Sequence, residues 1–198
     1  MSTDNSNVSF EISSLHAAYS EGTTPQAIVA EVYRRINAVA DPGIFIHLRD
    51  ETAVIEEAGT LPPFDAKAFP LWGIPFAIKD NIDLAGTPTT AACPAYAYNP
   101  ENDAFVVAKL KAAGAIPIGK TNLDQFATGL VGVRSPFPPP KNALDPDIVP
   151  GGSSAGSAVA VALGLVSFAL GTDTAGSGRV PAALNNIVGL KPTLGALS

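Results

Sequence analysis

Three side chains in this sequence carry groups that together could move a proton and form an ester. Ser153 lies in Pro150-Gly-Gly-Ser-Ser-Ala-Gly-Ser157 and Ser177 in Gly171-Thr-Asp-Thr-Ala-Gly-Ser-Gly-Arg-Val-Pro181, each inside its own glycine turn. Glycine lets a backbone approach a ligand with no Cβ in the way, and such turns leave N–H groups free to face developing negative charge. A serine hydroxyl needs a base to become a nucleophile. Neither motif holds a histidine, and Lys79, closing the apolar stretch Leu71-Trp-Gly-Ile-Pro-Phe-Ala-Ile-Lys79, is the available acceptor. Burial disfavours an ammonium, and bringing a lysine from about 10.4 to about 7–8 takes roughly 4 kcal/mol, within reach of desolvation. Taken singly, each residue has a plainer reading: turn or N-cap serines, and a snorkelling or ion-paired lysine. The combination gives the three their weight.

Composition narrows the partners. The chain has 198 residues, 46% of them hydrophobic and 15% charged, enough to bury a core and too apolar for disorder. Its net charge is −6, its pI is near 4.8, and it lacks a Lys/Arg cluster, which argues against nucleic acid or an anionic membrane surface and for a small molecule. The apolar run Ser157–Leu170 is shorter than the about 20 residues of a spanning helix and reads as a buried helix and strand. The N-terminal Met-Ser-Thr-Asp-Asn-Ser-Asn lacks the basic-then-apolar order of a secretory signal, so the expected location is the cytoplasm. A single cysteine, Cys93, excludes an intrachain disulfide, and His16 and His47 have no metal-ligand spacing, so no metal is expected.

The elements that must position the three residues read as α/β. Ile12, Leu15, Ala18 and Tyr19 recur at helical spacing up to Gly22. Thr24 and Pro25 form an N-cap and N1 pair ahead of a second helix with Ile28, Val29, Val32, Tyr33 and Ile36 on one face, ending near Asp41-Pro42. This gives a helical N-terminal arm over residues 1–70 and a catalytic α/β core over 71–198. Within the core, Ile74–Ile78, Ala115–Ile118, Phe168–Gly171 and Ile187–Leu190 read as strands. Ala104–Ala113 reads as a helix between the first two, and another begins near Ser177. The proline-rich stretch between Ser135 and Gly152 is a long loop of the kind that carries function or moves.

One motif competes for attention. Gly114-Ala-Ile-Pro-Ile-Gly-Lys-Thr121 matches the phosphate-loop pattern G-x-x-x-x-G-K-[ST]. In a true phosphate loop the middle residues form the anion-cradling turn after a strand, whereas Ala-Ile-Pro-Ile is itself strand-like and follows a helix. The match is read as coincidence.

Gly-Ile-Pro-Phe-Ala-Ile-Lys-Asp-Asn, the two serine motifs, and Val-Gly-Leu-Lys-Pro-Thr occur in the order in which the sequence resembles the amidase signature family, from about residue 24 onward. The resemblance implies a mixed sheet covered by helices, truncated here at the C-terminus, and a Ser-Ser-Lys triad. In that triad Ser177 is the nucleophile, Ser153 the bridging serine after a cis peptide bond, and Lys79 the base. It implies an oxyanion hole built from the N–H groups of Thr174, Ala175, Gly176 and Ser177, no organic cofactor or metal, and a homodimer in the full-length protein. Leu123-Asp-Gln-Phe-Ala-Thr-Gly-Leu-Val-Gly-Val-Arg-Ser-Pro136 and Thr174-Ala-Gly-Ser-Gly-Arg-Val-Pro-Ala-Ala-Leu-Asn-Asn186 are most similar to members that hydrolyse allophanate, the last intermediate of urea breakdown. A small planar anion of that kind needs a cationic or amide-rich wall, for which Arg179 or the backbone of Gly129, Leu130, Val131 and Gly132 are the candidates. Ala175 replaces the family's more common glycine, and Phe137-Pro-Pro-Pro-Lys141 departs from its usual tyrosine and glycine. Three readings stay open: an allophanate-type amide hydrolase, one component of a tRNA-dependent amidotransferase, and a binding module without catalysis.

Overall fold

A computed structural model describes residues 8–196, so the polar N-terminal heptapeptide lies outside the described residues. The first two helices form where the spacing places them: α1 over Ile12–Ser20 and α2 over Pro25–Val39. The Thr24 hydroxyl accepts the N–H of Ala27 at 3.2 Å, satisfying one of the donors that a helix start leaves unpaired. Between residues 40 and 60 the chain adds strand β1, Phe45–Leu48, and helix α3, Glu51–Gly59, which Asp50 caps by accepting from Ala53 N at 2.9 Å. The N-terminal arm therefore contributes a strand as well as helices.

The remaining elements are β2 (Pro75–Lys79), α4 (Phe105–Ala112), β3 (Ile116–Thr121), α5 (Ala155–Ala162), β4 (Phe168–Leu170) and α6 (Arg179–Leu184). They build one four-stranded sheet in the order β1-β3-β2-β4, parallel except for β1, which runs antiparallel to β3. The mixed α/β architecture follows from this order. β2 and β3 are buried throughout, as expected of near-continuous apolar strands covered on both faces.

Alternation along β2 sorts its side chains. Phe76 and Ile78 pack with Leu84, Val107 and Ala115 on one face, while Ala77 joins the larger core of α1, α2, α3 and α5 residues such as Leu15, Ile28, Val32, Val54 and Val159. Lys79 shares the parity of Ala77, so it is delivered to the α5 side. Helix α5 comes very close to the sheet because it is made of small residues. A Cβ on Gly156 would fall 2.2 Å from the Ile44 carbonyl oxygen and 2.7 Å from Asn122 N, so only glycine fits there.

One expected strand is absent. Ile187–Leu190 is irregular, with Val188 94% and Leu190 85% exposed. A short apolar run becomes a strand only where a neighbour supplies ladder hydrogen bonds. Among the described residues none runs beside it. The long loop between Ser135 and Gly152 is held by two asparagines. Asn142 Nδ2 donates to the carbonyls of Val149 and Leu184, and Asn185 Nδ2 donates to Pro150 O at 2.7 Å.

Candidate active site

Lys79 ends β2 fully buried. Its Nζ lies 2.7 Å from Ser153 Oγ and 2.7 Å from Thr172 Oγ1, donating to both hydroxyls. Burial lowers its pKa to about 7, against the opposing pull of the Asp124 and Asp173 carboxylates. Ion pairing would hold a lysine charged, but among the described residues this amine hydrogen-bonds only to hydroxyls. Such a group exchanges a proton near neutrality.

Ser153 follows a cis peptide bond from Gly152 and is fully buried at the turn leading into α5. Ser177 sits in the turn before α6, and the two turns are joined where Ser154 N donates to Ser177 O at 3.0 Å. Among the described residues Ser177 Oγ makes no hydrogen bond, so the structure joins Lys79 to Ser153 but does not join Ser153 Oγ to Ser177 Oγ. The N–H groups of Thr174, Ala175 and Ser177 likewise have no acceptor among the described residues. Gly176 differs from the expectation: its N–H donates to Asp173 Oδ1 at 2.9 Å, which leaves three of the four expected donors free.

Asp173 organises this turn. Besides Gly176 it accepts the N–H of Gly178 and Arg179 and two side-chain N–H bonds from Arg179, at 2.9 and 3.0 Å. The Arg179 guanidinium holds the Asp173 carboxyl well below the usual range. Arg179 thus commits its Nε and Nη2 to Asp173 while its side chain stays 55% exposed.

The segment Gly129–Gly132 is brought against both turns. The carbonyls of Leu130 and Val131 accept from Gly152 N and Gly151 N, at 2.8 and 3.1 Å. The Leu130 side chain covers the Gly176 turn, with Cδ2 3.8 Å from where a Gly176 Cβ would stand. Gly132 N donates to Asp124 Oδ2 at 3.0 Å and Arg134 N to Oδ1 at 2.8 Å, while Asp124 N donates to Ser153 O. Asp124 is fully buried and lies so close to Gly152 that any larger residue there would collide with its carboxylate. It joins the 129–134 loop to the Ser153 turn.

Thr172, Asp173 and Asp124 escaped the sequence reading as site residues. The first two stand inside the Gly171-Thr-Asp-Thr motif and Asp124 opens the run that follows β3, but composition gives no sign of which hydroxyl or carboxylate meets Lys79. The phosphate-loop pattern resolves as the sequence reading has it: Ile116–Thr121 is strand β3, and Lys120 is buried, with Nζ 3.1 Å from Asp80 Oδ1 and donating to Thr89 Oγ1 at 2.8 Å. Among the described residues no group of three or more His, Cys, Asp or Glu could hold a metal ion, and no helix is long and apolar enough to cross a membrane.

A sheet that delivers a buried lysine between two serine turns is the frame of an amidase, and the Amidase family model matches residues 27–198: the chain belongs to that family. Its sequence is 68% identical over 129 residues to a urea amidolyase of Lachancea kluyveri, covering 65% of this chain and 7% of that protein. It is 47% identical over 195 residues to a glutamyl-tRNA(Gln) amidotransferase subunit of Lacticaseibacillus paracasei, covering 94% of this chain and 39% of that protein. Among solved structures it is similar to the S177A form of Kluyveromyces lactis allophanate hydrolase, with a TM-score of 0.80 and 45% identity over 92% of this chain and 30% of that one. The chain thus spans well under half the length of these relatives.

Proposed function

We propose that the protein is an amide hydrolase acting through Ser177, Ser153 and Lys79, and that its substrate is allophanate, with release of ammonia. The observation that carries this reading is the buried Lys79 amine, 2.7 Å from Ser153 Oγ and with its pKa brought to about 7. In its neutral form Lys79 takes the proton of Ser153, whose oxygen takes that of Ser177 as Ser177 Oγ bonds to the amide carbon. The N–H groups of Thr174, Ala175 and Ser177 face the oxygen that gains charge, each donor worth roughly 3–4 kcal/mol of barrier. The proton returns through Ser153 to the leaving nitrogen, the C–N bond breaks, and ammonia departs. Water then attacks the ester carbon, Ser177 regains its hydrogen, and the product leaves as a carboxylate. Homology to urea amidolyase and allophanate hydrolase supports the choice of substrate. The same reading carries a homodimer for the full-length protein and a cytoplasmic location.

The test is ammonia release from allophanate: Ser177→Ala should abolish it and block labelling by a serine-directed acylating agent. Unchanged turnover in that variant would overturn the assignment. A second reading, a component of an amidotransferase that passes ammonia to a partner, is favoured by the 47% identity that extends over 94% of this chain. It predicts activity only with a partner protein and charged tRNA.

A further inference from the structure

Beside the Lys79 site lies a concavity of about 200 Å³, lined by Asn81, Thr89, Ala91, Tyr96, Tyr98 and Phe126. Its three rings are packed edge to face, Tyr96 against Tyr98 at 5.7 Å and against Phe126 at 5.3 Å between centroids. They nevertheless remain 51%, 42% and 49% exposed, an unusual outlay of aromatic surface to water. The loops carrying them are cross-tied, Phe126 N donating to Ala91 O and Gln125 Nε2 to Ala92 O, both at 3.0 Å. Ala91, Ala92, Phe126 and Ala127 all have left-handed backbones, a conformation that non-glycine residues adopt mainly where surrounding structure enforces it. The Phe126 ring is therefore held in place by its backbone, and the two tyrosine rings pack in series beside it.

Asn81 connects this cavity to the chemistry. Its Nδ2 donates to Thr172 Oγ1 at 3.2 Å, the hydroxyl that Lys79 Nζ also meets. Asn81 Oδ1, shielded from solvent, has no donor among the described residues. Neither lysine nor arginine lines the cavity. Tyr98 spends its hydrogen on Asp83 Oδ1 at 2.7 Å, and that bond pushes its pKa up to about 12, so its oxygen presents lone pairs. The open acceptors of the cavity call for N–H donors.

We propose that this cavity is a subsite for the planar, N–H-rich amide or ureido end of the substrate, which lies against the Tyr96 and Phe126 rings while its carbonyl faces the Ser177 turn. The inference rests on the hydrolase reading for the identity of the substrate, and its test needs no turnover. In a Ser177→Ala protein, calorimetry would measure binding of biuret, a neutral N–H-rich probe, and of malonate, an anion of similar size. Phe126→Ala and Tyr96→Ala should weaken biuret at least about tenfold and leave malonate unchanged, and Tyr98→Phe, which keeps the ring, should weaken biuret less. Biuret that fails to bind, or binds equally to wild-type and variant rings, overturns the subsite. Absence of ammonia release by the wild type with biuret binding intact would instead sink only the hydrolase reading.

Discussion

Two lysines stand at or near the ends of adjacent parallel strands, both fully buried, and they have opposite surroundings. Lys79 closes β2 and Lys120 lies near the end of β3, with Ile78 and Lys120 in register. Burial lowers the pKa of both. Lys120 has the Asp80 carboxylate 3.1 Å away, together with Thr89 Oγ1 and the Pro88 carbonyl, and that carboxylate opposes the effect of burial. Lys79 touches Ser153 and Thr172, and the carboxylates that act on it, Asp124 and Asp173, are engaged with backbone N–H groups or Arg179. Two identical, fully buried side chains thus differ in their contacts, one with a carboxylate beside it and the other with hydroxyls, and only a direct carboxylate offsets burial at close range.

The sharpest way to break this contrast is Lys79→Met, which should lower turnover by about 10⁴-fold, the upper end of what a general base contributes, while the thermal midpoint stays near that of wild type. The reciprocal change, Lys120→Met, strands a buried carboxylate and should cost roughly 3–5 kcal/mol in a denaturant titration, with turnover per folded molecule within tenfold of wild type. Equal effects of the two on turnover would erase the distinction. The smallest effect tests tuning at a distance. Under the proposed mechanism activity requires neutral Lys79 and should rise with pH through about 7. The Asp124 charge favours the ammonium, so Asp124→Asn should move that rising limb to lower pH. A limb that stays put, or moves upward, would remove Asp124 from the electrostatics of the base.

The helices at Ile12–Ser20 and Pro25–Val39 were legible because capping and spacing act locally, and β2 and β3 because their apolar runs are buried on both faces. Phe45–Leu48 was missed: it is half-buried, short, and strand-like only through its pairing with β3. Ile187–Leu190 shows the converse, apolar residues in a strand-like run that no neighbour accepts. In the site, the motifs gave residue types and order. They could not give the commitment of Arg179 to Asp173 or of Gly176 N–H to the same carboxylate, because both depend on how the turn closes on itself. The role of Thr172 depended on which hydroxyl the chain folds back to Lys79.

The bond from Ser154 N to Ser177 O is made entirely of main-chain atoms. Every amino acid except proline supplies that donor and every one supplies that acceptor, so substitution can rewrite the surrounding walls without loosening this stitch. The distance between the two serine segments is therefore set by the backbone, independent of the side chains that line the space around it.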